Sequence, residues 1–128
     1  MKHDEFRKRV REVAELETNE EAERAIQATF ETLRERLAGN EPSNLADQLP
    51  PEIAEPLRGK GGQDNFSLEE FYRRVGEKVG VSQDEAAIHA RAVASVLQQA
   101  VTTGEMDDIR DQLKPDYTEL FGQSGATG

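Results

Sequence analysis

The sequence predicts an all-α protein, and two observations carry that prediction. Apolar residues recur at helical spacing along most of the chain, and no alternating run of Val, Ile or Thr argues for a strand. The chain also repeats itself: residues 45–57 read LADQLPPEIAEPL and residues 109–121 read IRDQLKPDYTELF. Asp47, Gln48, Leu49 and Pro51 meet Asp111, Gln112, Leu113 and Pro115 at a shift of sixty-four positions. The expected architecture is a compact helical bundle of two pseudo-symmetric repeats, each two long helices followed by two short ones. The first repeat spans 4–57, the linker 58–65 and the second repeat 66–121, with a disordered tail over 122–128. A unit of that size buries only about 60% of its unfolded surface, so the halves are expected to share one core within a single domain, 1–121.

The elements follow in order. Residues 4–16 place Phe6, Val10 and Val13 on one stripe of a charged helix, with Leu16 just beyond. Thr18 and Glu21 have capping-box spacing and mark the next start. Ala22, Ile26, Thr29, Phe30, Leu33 and Leu37 form the stripe of that helix, which Gly39 stops. Ser43 is expected to cap a short helix over Asn44 to Leu49. Pro50-Pro51 breaks it, and Pro51 opens a further turn with Ile53 and Leu57 inside. The stretch RGKGGQDN (58–65) has three glycines and no large apolar side chain, and reads as a linker.

In the second copy Ser67 and Glu70 form another box, with Phe66 stapled on Phe71. Phe71, Val75 and Val79 carry the stripe, and Gly80 ends the helix. Ser82 and Glu85 form a third box. Ala86, Ala90, Val93, Leu97 and Val101 follow at helical spacing, and Gly104 is expected to stop that helix. Glu105 to Leu113 reads as the short helix, with Pro115 opening the last.

Composition narrows the function classes. Net charge is −10 and both halves are acidic, so the long-range field repels phosphate backbones and nucleic acid is not expected as a partner. The absence of cysteine excludes disulfides, thiolate zinc sites and Cys nucleophiles. No apolar run approaches a membrane span, and the charged start MKHDEFRKRV has no signal-peptide character, so no membrane contact and a cytoplasmic location are expected. Phosphate-loop, dinucleotide and nucleophile-elbow motifs are missing.

The two copies of F-x-[KR]-R-V (Phe6 to Val10, Phe71 to Val75), the two D-Q-L-x-P elements and the stretch FSLEEFYRRVGEKVGVSQDEAAIHARAVASVLQQAV carry a resemblance. The chain resembles the domain of unknown function 2267 family, small tandem-repeat helical proteins of bacteria and archaea. That resemblance spans Glu5 to Phe121 and implies an all-helical single domain. It brings no activity, cofactor or catalytic residue with it.

Candidate site residues are few. Asp47-Gln48 and Asp111-Gln112 recur in both copies. They read either as a twofold-related site, each half giving an acid and an amide, or as groups satisfying the backbone around the proline break. Arg9 and Arg74, each just before the matching valine, are expected as partners of those aspartates. His89 lies one turn after Glu85 and is expected at the core edge with a local glutamate contact. Asp107, Asp108 and Asp111 read as a solvated acidic face, with weak divalent-cation binding as the other reading. The basic run Arg7, Lys8, Arg9, Arg11 reads as an internally paired helix face. No catalytic residue, cofactor or metal set is assigned.

The expected function is a non-enzymatic helical interaction or accessory module, in the stress-related class, with an unidentified protein partner. The second long helix of copy two is rich in alanine (Ala86, Ala87, Ala90, Ala92, Ala94, Ala100) and is expected to allow close packing within the chain, with a homodimer as the next use. The other reading is a small-molecule or metal-binding protein, including an enzyme, with its site between the repeats.

Overall fold

Helix stripes of this kind can bury themselves only against one another, and the computed structural model, which describes residues 1–113 and 115–121, shows them doing so. In chain order the helices are α1 (His3–Val13), α2 (Asn19–Arg36), α3 (Glu41–Ala46), α4 (Pro51–Ala54), α5 (Leu68–Val79), α6 (Gln83–Ala100) and α7 (Thr103–Gln112). α4 runs on into a 3-10 turn, Glu55–Leu57, and a second 3-10 segment covers Pro115–Glu119. No strand occurs among the described residues. The tail expected over 122–128, and Lys114 within the second D-Q-L-x-P element, lie outside them.

α2 and α6 pack on each other at the centre; α1 and α5 each contact both of them. Phe6, Val10, Ala22, Phe30, Leu37, Phe71, Val75, Ala90 and Val93 all belong to one hydrophobic cluster spanning both halves of the chain. The edge-on pair Phe6–Phe30 and the perpendicular pair Phe71–Tyr117 fill its two ends. In α6 the small side chains of Ala86, Ala90, Ala92 and Ala94 are buried, so its alanine-rich surface serves packing within the chain.

Local signals account for most boundaries. Thr18 and Glu21 form a complete capping box, each side chain bonded to the other's backbone N–H. Ser67, Ser82 and Thr102 accept from the N–H three residues on, without the reciprocal bond that a full box requires. At Ser67 the reason is visible: the Glu70 carboxylate is drawn instead to Arg73 and Arg74. Phe66 packs on Phe71 with ring centroids 6.3 Å apart, as a staple should. Gly80 closes α5 in the left-handed conformation, φ 89°.

Four sequence expectations are corrected. Val13 is 52% exposed: Phe6 and Val10 continue at a spacing of four to Ala14, which takes the buried place, and Val13 falls off the stripe. Ser43 does not cap α3, which starts two residues earlier with Pro42 in its first turn. The Ser43 hydroxyl instead exchanges two hydrogen bonds with the backbone of Gly59. Gly104 does not stop α6, which ends at Ala100; Thr102 caps the next helix, so Gly104 lies inside the first turn of α7. Val101, expected in the α6 stripe, becomes the half-buried C-cap.

The 58–65 segment is extended and pinned. Backbone N–H groups of Gly61, Gly62, Gln63 and Asp64 donate to carbonyls of Gly39, Arg34, Leu37 and Glu35 at the end of α2. Gly61 lies so close to the Leu37 carbonyl that any Cβ there would overlap it, which explains a glycine at this position.

Candidate functional site

The repeated polar pair divides into one residue that joins the halves and one that does not. Gln48 accepts a 2.8 Å hydrogen bond from the N–H of Thr102, just past α6. Gln112 accepts a 2.9 Å bond from the N–H of Ala38, just past α2. Donors and acceptors are both sixty-four positions apart, so each amide reaches the same backbone position in the opposite copy. The aspartates beside them do otherwise. Asp47 is exposed and pairs with Arg58 at 3.1 Å. Asp111 is exposed and has no side-chain partner among the described residues.

The expected Arg–Asp pairs do not form, because both arginines are held elsewhere. Arg9 binds Glu5 one turn back and Gln99 on α6. Arg74 binds Glu70 one turn back, Glu35 on α2 and Asp64 of the connecting segment, and lies 3.9 Å over the Phe66 ring. Glu35 and Gln99 are again sixty-four positions apart. The charged partners in the second set hold the Glu70 carboxyl down at about 2, chiefly through the Arg73 and Arg74 hydrogen bonds.

His89 is more buried than the sequence suggests, and its Nδ1 has no hydrogen-bond partner. Burial pushes its pKa down, opposed by the charges of Glu85 and Glu21, so the imidazole is neutral at pH 7. The matching position in the first copy is Ala25, fully buried on α2. His3 opens α1, with Nδ1 3.8 Å from Glu52.

A different set of acids meets where α3 packs on α7. Glu41, Glu105 and Asp108 each bring a carboxylate oxygen within 4.8 Å of the others. Glu41 and Glu105 are themselves sixty-four positions apart. Glu105 is only 9% exposed, and the buried Oε2 atoms of both glutamates find no hydrogen-bond donor among the described residues. The Gln112 amide donates to the other oxygen of Glu41 at 3.3 Å. Burial pushes the Glu105 carboxyl up to about 7, and the neighbouring carboxylates of Glu41 and Asp108 add to the shift. Of the acidic run named from sequence, only Asp108 joins this cluster; Asp107 pairs with Arg110 at 3.6 Å. Glu41 and Glu105 were legible in principle, since the register of the D-Q-L-x-P elements, extended six positions upstream of their aspartates, already aligns them.

A second feature is an open groove of about 460 Å³ between α2 and the α4 segment. Ile26 and Ile53, both buried, and Pro56 form its apolar lining, with Glu23, Glu31, Glu52 and Glu55 around it. Glu23 is neutralised by Arg7 at 2.6 Å. Glu31 receives only the Gln27 amide, and Glu55 has no side-chain partner among the described residues. The groove lies within the first half of the chain, not between the halves.

No helix among the described residues is long and apolar enough to cross a membrane. A family model described as "Uncharacterized conserved protein (DUF2267)" matches residues 3–120. Among curated proteins, none matches the chain.

Proposed function

The chain belongs to the DUF2267 family, and from that premise we propose that it is a non-enzymatic accessory module whose first half holds a basic segment of a partner protein. The observation that carries this reading is the groove beside α2. Its lining is apolar at Ile26, Ile53 and Pro56, and Glu31 and Glu55 on its rim form no ion pair among the described residues. Apolar contact supplies affinity, and uncompensated acids select for lysine or arginine. The overall charge of −10 supports the same choice by attracting basic partners over longer range. We further read the protein as cytoplasmic, which its cysteine-free composition supports.

The test is crosslinking capture from the native host with wild type and with the charge-reversed variant Glu31→Lys/Glu55→Lys. A partner whose crosslinked peptide is basic, and which is lost only from the groove variant, supports the reading. Equal loss from Asp107→Lys, an exposed residue outside the groove lining, or retention by the groove variant, contradicts it.

A further inference from the structure

We propose that Glu41, Glu105 and Asp108 bind one hard divalent cation, of the Ca²⁺, Mg²⁺ and Mn²⁺ class, that ties α3 to α7. The site is independent of the groove, and neither reading depends on the other. Oxygen ligands on one such ion sit at about 2.0–2.6 Å from it and so within roughly 5 Å of each other. The three carboxylates meet that condition, each offering an oxygen within 4.8 Å of the others. All donors are carboxylate oxygens, which favours hard cations over zinc or copper.

An acidic cluster alone would not single out a site, since solvated acids gather on many surfaces. Here one member is not on the surface. Glu105 is 9% exposed, and its Oε2 is buried with no donor among the described residues; the same holds for the Oε2 of Glu41. An ionised oxygen buried without a donor is costly, and a bound cation removes that cost directly. Gln112 is the positioning residue: its amide holds Oε1 of Glu41 at 3.3 Å while its own carbonyl is anchored by the Ala38 N–H. Asp108, the exposed member, stands where the site opens to solvent, so water can complete the coordination shell. Because Glu41 belongs to the first half and Glu105 and Asp108 to the second, the ion would close a contact across the chain.

The experiment is calorimetric titration of the metal-free full chain with Mn²⁺ at pH 8, with Ca²⁺ and Mg²⁺ in parallel. The expected result is one saturable site per chain for at least one of the three ions, accompanied by a rise in Tm. Glu105→Gln and Asp108→Asn should each weaken binding by roughly tenfold or more, whereas Asp107→Asn and Asp111→Asn should leave it unchanged. Asp108→Asn changes an exposed residue, so its effect cannot be ascribed to lost folding. Absence of a saturable site for all three ions overturns the proposal. So does binding that survives both ligand variants, or that falls equally in Asp107→Asn and Asp111→Asn.

Discussion

The two D-Q-L-x-P joints share a sequence but are held in different ways. The first, Leu45–Leu57, is a helical segment with an apolar inner face: Leu45, Leu49, Ile53 and Leu57 are all buried. The second ends in a 3-10 segment fastened by polar groups. Asp116 accepts from the N–H of Leu68, and the Tyr117 hydroxyl donates to the Phe66 carbonyl at 2.9 Å. Arg36, almost fully buried, adds bonds to the carbonyls of Phe66 and Gln112 and lies over the Tyr117 ring. The position matching Arg36 sixty-four residues on is Ala100, so the first joint has no such clamp. The lesson is that the two D-Q-L-x-P segments share their glutamine cross-links between the halves of the chain, while each joint is secured by its own local contacts.

That contrast can be broken in order of size. Arg36→Ala should cost about 2–3 kcal/mol, because it takes a donor from the Phe66 and Gln112 carbonyls and opens a void beside Tyr117. Chemical denaturation read by Tyr fluorescence measures it. A loss below about 1 kcal/mol would remove the clamp from the account. Gln112→Ala should cost about 1–2 kcal/mol, since it frees a half-buried N–H and also strips Glu41 of its donor. Gln48→Ala, whose bond is exposed to water, should cost about 0.5 kcal/mol, and a difference of the opposite sign would invert the comparison.

Glu105→Gln tests the meeting of the two copies through pH. The folded metal-free protein holds a proton at Glu105 up to about 7, whereas the unfolded chain releases it near the ordinary 4.5. Stability therefore falls as pH rises from about 4.5 to about 7 and levels off above. The variant should flatten this slope and be more stable than wild type at pH 8 by about 1 kcal/mol, with little difference at pH 4. The smallest effects are expected at Asp47→Asn and Asp111→Asn, each within about 0.5 kcal/mol of wild type.

The fold class, the stripes and most helix starts were legible because they depend on residues within a turn or two of each other. Thr18 with Glu21 and Phe66 with Phe71 are local signals, and they hold. What failed locally was a matter of one or two positions: Val13 lost its buried place to Ala14, and Thr102 overrode Gly104. The site was harder, because its contacts span the chain. Nothing near Arg9 or Arg74 announces Gln99 or Glu35, and the nearest repeated acid, the aspartate, was the wrong partner. Residues whose partners lie far away in sequence, such as Arg36 over the Tyr117 ring, carry no local mark at all.

The account turns on Glu41 and Glu105 meeting between the two halves. The most direct measurement is a carbon-13 NMR titration of the Glu105 carboxyl in metal-free protein. A midpoint near 7 that falls in Glu41→Gln, while burial still holds it above the ordinary 4.5, is the predicted result. A midpoint near 4.5 in the wild type, or one unmoved by Glu41→Gln, would mean that the two glutamates do not share this contact.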